Sequence, residues 1–162
     1  MGYALAEAKK AAALDETPVG AIVVDSSGNI LGAAGNRVRA MTDPAAHAEI
    51  LAIREAARRL RSERLSNCLI IVTLEPCAMC AGAILQARLA GVVFGAADTL
   101  AGAVVSRADL LCLSPRAWSL GGVRGEECAA ILSEFFAAKR GEHPHDGIPG
   151  FSGQRIRAGA GG

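Results

Sequence analysis

Aromatic side chains are scarce in this chain: one tryptophan, one tyrosine and four phenylalanines among 162 residues. The core must therefore be built from alanine, valine, isoleucine and leucine. No run approaches the roughly 20 uninterrupted apolar residues that a membrane helix needs, so no membrane crossing is expected. The opening stretch MGYALAEAKK places its charges after its apolar residues and has no cleavable hydrophobic region. A secretory leader is therefore not expected, and the cytoplasm is the expected compartment. Charge of one sign is lacking as well: 17 basic residues face 16 acidic ones, a net charge of +1. By itself this gives no support to nucleic-acid binding, and the arginine-rich stretch REAARRLRSER reads as a solvated helix face. Histidine is rarer still. There are three, and His143 and His145 fall in a Gly/Pro-rich tail, which leaves His47 within the domain.

What the chain does contain is a regular alternation of elements over one domain, residues 1–140, followed by a tail. A length of 162 residues allows a single well-buried core. A mean hydropathy of +0.30 points to a deeply buried sheet or to a face hidden in an oligomer. Good helix formers over 2–14 predict a first helix. PVGAIVVD and ILGAAGN, joined by the turn residues SSGN, predict a hairpin. TDP is a helix-start signal, with Pro44 suited to the first helical position and the helix continuing to about Arg61. CLIIVTL and GVVFGA are continuous apolar runs rich in β-branched residues, the pattern of strands covered on both faces. Pro76 opens a helix to about Ala87, a loop with a short helix occupies 99–115, AWSLGG is a last strand, and GEECAAILSEFFAAKR is an amphipathic helix. From Gly141 to residue 162 no period is present, and a flexible tail is expected. Strands alternating with helices imply a mainly parallel sheet between helical layers, with the opening hairpin as the antiparallel exception.

The five cysteines are an odd number in a chain expected to be cytoplasmic, which argues against a disulfide framework. Cys68, Cys112 and Cys128 lie in apolar or helical runs and read as small buried hydrophobes. Cys77 and Cys80, in TLEPCAMC, fit three readings when taken alone: a redox pair, structural core residues or metal ligands. Their i, i+3 spacing sets both thiols on one side of a first helical turn, where the helix end favours thiolates. His47 stands at the start of the other helix with a proline at its entry. One nitrogen and two sulfurs suit zinc, and a catalytic zinc keeps its fourth position for water. Glu49 lies two residues past His47, about 200° round a helix. The two converge only if the metal sits off the helix end, capping two helix N-termini. Glu49 would then stand beside the water without being a ligand. A zinc-stabilised scaffold without chemistry would need no such carboxylate and would normally show a fourth protein ligand.

HAE followed by PCAMC resembles the zinc-dependent cytidine deaminase superfamily. The words PVGAIVV, GNR, DPAAHAEILAIR, VTLEPCAMCAGAILQAR, VVFGAAD and EECAAILSEFF extend the resemblance to its bacterial tRNA-specific adenosine deaminase branch, over about residues 3–140. The resemblance implies a three-layer α/β/α cytidine-deaminase-like fold with a five-stranded mixed sheet. It also implies one zinc per subunit, held by His47, Cys77 and Cys80. Glu49 matches the proton shuttle, Asn36 the residue that hydrogen-bonds the target base, and Asp98 a residue that contacts the RNA backbone beside it. The implied reaction is hydrolytic deamination of the wobble adenosine of a tRNA anticodon stem-loop to inosine, by a homodimer whose RNA site draws on both subunits. Two positions depart from the branch: Ala97 stands where an arginine is common and Leu100 where a lysine is. Arg107, Arg116, Lys139 and Arg140 are candidates to replace those phosphate contacts. The same departures motivate an alternative, a deaminase of a free nucleobase such as guanine or cytosine.

Overall fold

The computed structural model describes residues 1–142, with side chains to 140. Its elements, in order, are α1 (Gly2–Ala13), β1 (Gly20–Val24), β2 (Ile30–Gly35), α2 (Val38–Met41), α3 (Ala48–Leu60), β3 (Leu69–Leu74), α4 (Ala78–Gln86), β4 (Gly91–Ala96), a 3-10 turn (Leu110–Leu113), β5 (Trp118–Leu120) and α5 (Gly125–Glu142). The five strands form one mixed sheet in the order β2-β1-β3-β4-β5. The opening hairpin pairs β1 with β2 antiparallel, Gly20 opposite Gly35. β1 is also antiparallel to β3, with Ile22 opposite Ile71, whereas β3–β4 and β4–β5 are parallel. The strand that runs against the rest is therefore β1, and the hairpin is the consequence. α3 packs against β2 and β1 on one face of the sheet, with α4 beside it. α1 and α5 cover the other face, α1 on β1 and β2 and α5 on β4. The expected three-layer α/β/α arrangement is present.

The shortage of aromatics is met by close packing of helix backbone on sheet. A Cβ on Gly20 would lie 2.0 Å from the Ala4 carbonyl oxygen of α1, and one on Gly32 would lie 2.2 Å from the Ala52 carbonyl oxygen of α3. Alanine on the helices and glycine on the strands thus bring backbones into contact. Ile70, Val72, Ile84, Val92 and Leu65 fill the space that remains and are each at most 1% exposed. Cys68 and Cys128 are buried as expected. Cys112 is exposed, because the 3-10 turn that carries it buries Leu111 and turns its neighbours outward.

Two helix starts differ from the expectation. α3 begins at Ala48 and not at Pro44, because Asp43 closes a turn over Pro44, accepting from the Ala46 N–H at 3.0 Å and, through Oδ1, from Ala45 N–H at 2.8 Å. α4 begins at Ala78, two residues past Pro76. The short α2 was not foreseen. α5 runs through Gly141 to Glu142, and the rest of the expected tail, 143–162, lies outside the described residues. Among the described residues no helix is long and apolar enough to cross a membrane.

Candidate active site

Both late helix starts put a metal ligand at the same structural position. His47 is the N-cap residue of α3 and Cys77 that of α4, each with extended backbone. An N-cap side chain normally turns back on the helix to take an orphan N–H; neither of these does so. Both point off the helix end instead, and Cys80, one turn into α4, joins them. Parallel β3 delivers α4 from its carboxyl end, the side of an α/β sheet where ligands bind.

The three donor atoms lie within 4.8 Å of one another. His47 Nδ1 is 3.8 Å from Cys77 Sγ and 3.6 Å from Cys80 Sγ. Ligands at about 2.05 and 2.3 Å on a tetrahedral zinc would stand about 3.6 Å apart. The spacing and the nitrogen–sulfur donor set both fit zinc, with Nδ1 as the histidine donor. The three groups also hydrogen-bond among themselves. The hydrogen bond from Cys80 and the His47 ring hold the Cys77 thiol down at about 3. Cys80, as the donor in that bond and as a buried group, is pushed far up. The Cys77 partner raises His47.

Glu49 is 4% exposed and lines the same cavity as His47 and Cys77, a space of about 340 Å³. Burial pushes its carboxyl up, against the pull of its own backbone N–H in the first turn of α3 and of His47. Asn36, which directly follows β2, lines the cavity too and is 7% exposed. Its Oδ1 accepts the Ala48 N–H at 2.8 Å, so it supplies from outside the cap that His47 withholds. That bond fixes the amide orientation and leaves Nδ2 as the donor. Asp98 also borders the cavity, but its Oδ1 accepts from the N–H groups of Leu100 and Ala101 at 2.9 and 3.0 Å. Its carboxylate shapes the 98–101 turn.

Of the four cations considered for phosphate contacts, none lines this cavity. Arg116 borders a separate groove with Arg88 and Leu113. The residue at the mouth that the sequence did not single out is Arg39. Glu75 is the other omission. It is 2% exposed, and its Oε1 accepts from the N–H groups of Val104, Val105 and Ser106 at 3.3, 2.7 and 2.8 Å. Its Oε2 accepts from Asp98 N–H at 3.0 Å and from the Ser106 hydroxyl. Burial alone would raise this carboxyl; the donors outweigh it and hold it at about 2. Glu75 is the single charge between Leu69 and Leu85, and a lone charge in so apolar a run is the signal that could have marked it.

Residues 1–96 match the cytidine and deoxycytidylate deaminase zinc-binding region. The tRNA-specific adenosine deaminase of Haemophilus influenzae is 47% identical over 88% of this chain and 84% of its own length. A solved structure from a study of A-to-I editing by tRNA:A34 deaminases at the wobble position of transfer RNA shares 41% identity, with a TM-score of 0.77 over 82% of this chain and 97% of that one. A guanine deaminase from Nitrosomonas europaea superposes with a TM-score of 0.75 at 28% identity, covering 84% of this chain and 82% of that one.

Proposed function

The chain belongs to the cytidine and deoxycytidylate deaminase zinc-binding family, and from that premise we infer that it is a zinc-dependent hydrolase. It deaminates the wobble adenosine of a tRNA anticodon loop to inosine. The observation that carries this reading is a His47–Cys77–Cys80 cluster with zinc spacing and a buried Glu49 in one cavity, on a chain 47% identical to a tRNA-specific adenosine deaminase.

Zinc held by His47, Cys77 and Cys80 would lower the pKa of a water from about 15.7 towards about 7. Glu49, buried and with its pKa raised, takes the proton of the attacking water and returns it to the purine ring nitrogen. Oxygen adds at the carbon that bears the amino group, the hydroxyl proton of the adduct passes through Glu49 to the amino nitrogen, the carbon–nitrogen bond breaks, and ammonia leaves. Asn36 holds the base: with Oδ1 occupied by Ala48, its Nδ2 donates to an acceptor on the ring edge. Asp98 acts on the RNA backbone through the turn it organises. An unpaired loop base enters such a pocket at little unstacking cost.

The protein acts in the cytoplasm, in keeping with five cysteines that are all free, and as a homodimer. Support for the dimer comes from α4, which carries no charge in AMCAGAILQ and yet turns Met79 outward, 40% exposed. The deciding experiment measures ammonia and inosine from an anticodon stem-loop with adenosine at the wobble position, beside free guanine, cytosine and adenine. Inosine at that position is expected, and Glu49→Ala should lower turnover by about 10³-fold or more with zinc still bound. Ammonia released from free guanine alone would move the chain to the nucleobase branch.

A further inference from the structure

The cavity is lined by four carboxylates, Glu16, Glu49, Glu75 and Asp98, and by one permanent cation, Arg39 of α2. An anionic RNA needs more than that to approach. The turn at 98–101 offers none, since Ala97 and Leu100 are neutral, and Leu100 is 89% exposed. Arg39 is held by Asp15: its Nη1 lies 2.7 Å from Asp15 Oδ2 and also donates to the Asp15 carbonyl at 3.2 Å. Asp15 Oδ1 is ion-paired with Lys139 of α5. Two cations from separate elements thus share the carboxylate of Asp15, which precedes the cavity-lining Glu16 in the chain, and all three side chains are partly or largely open to solvent, Arg39 at 65%. The backbone at Asp15 is left-handed, with φ of 61°, a conformation that asparagine adopts as readily, so the carboxylate charge is not required there for geometry. An arginine Nη1 and a lysine ammonium converging on the two oxygens of one anion is an arrangement that also suits a phosphate.

Resting on the reading of RNA as substrate, we propose that Arg39 and Lys139 form the site for the phosphodiester beside the target base, with Asp15 as an internal stand-in that the phosphate displaces. The site supplies in this chain the positive charge that Ala97 and Leu100 do not. Asp15 keeps the two side chains ordered before RNA arrives, at the cost of competing with it.

The test uses the full chain loaded with zinc and reads two things: inosine formation, which judges the substrate reading, and direct binding of the anticodon stem-loop across a salt series, which judges this site. Arg39→Gln and Lys139→Gln should each weaken binding about tenfold and lower the slope of log affinity against log salt, the two together by about 0.7, the value for one single-strand phosphate. Arg64→Gln, the same charge change on the exposed Glu63–Arg64 pair, should leave the slope as in the parent. Asp15→Asn should tighten binding three- to tenfold, since it removes the competing anion and keeps the backbone. Parent affinity and slope in Arg39→Gln, or weaker binding in Asp15→Asn, would overturn the proposal whether or not the parent makes inosine.

Discussion

The Glu75 carboxylate ties the cavity wall together at the scale of one residue. It gathers donors from Asp98 and from 104–106, so the turn bearing Asp98 is fastened to the strand that leads into Cys77. Glu75→Gln keeps the shape but sets an amide donor against N–H groups, and should cost about 2–4 kcal/mol. The pH dependence has a definite sign. The folded value, about 2, lies below the ordinary 4.5, so the charge stabilises the fold fully above pH 4.5 and loses that contribution as pH falls towards 2. Urea unfolding of parent and variant should therefore show a constant gap from pH 7 to 5 that narrows below 4.5. A gap that stays unchanged down to pH 3 would sink this account. Cys77 and Cys80 were legible in the sequence as a ligand pair because their i, i+3 spacing is local, and His47 because no other histidine falls within the domain. The role of Glu75 was not, since its donors lie 23–31 residues further on and only the folded chain brings them together.

Helices and strands were legible as elements wherever periodicity or a continuous apolar run was strong, as in CLIIVTL and GEECAAILSEFFAAKR. Their ends were not. Pro44 suits a first helical turn in isolation, but Asp43 captured its neighbours in a turn and moved the start of α3 to Ala48. That displacement makes His47 the N-cap and lets it share one metal with the N-cap of α4. The position of α3 over β2 depends in turn on Gly32, where a Cβ would lie 2.2 Å from backbone oxygen at Ala52. Backbone cannot swing aside as a side chain does, so Gly32→Ala must lift α3 and should cost about 3 kcal/mol. Because α3 carries His47 while Cys77 and Cys80 stay on α4, the same variant should bind zinc more weakly, measured by competition with a chromophoric chelator. Lost stability with parental zinc affinity would mean that the site does not depend on the seating of α3.

For the whole molecule the question is what covers α4. A helix that is apolar all round belongs in an interior, yet Met79 is 40% exposed, and Gly82 and Ala83 on the same face are half-buried. A Cβ added at Gly82 meets nothing within 4 Å in the described chain, so a larger side chain is sterically free in a monomer and improves helix propensity there. A second copy packed on this face would meet that side chain directly. On the homodimer reading, Gly82→Arg should therefore leave folding and zinc content at parental levels but shift the sedimenting mass from twice 16.6 kDa to the single chain. If the RNA site draws on both subunits, inosine formation should fall with the dimer, and raising the protein concentration should restore part of it. A variant that still sediments as a dimer would place the interface elsewhere. A monomer with full activity on the stem-loop would mean instead that one chain completes the site, leaving phosphate binding to groups such as Arg39 and Lys139 within it.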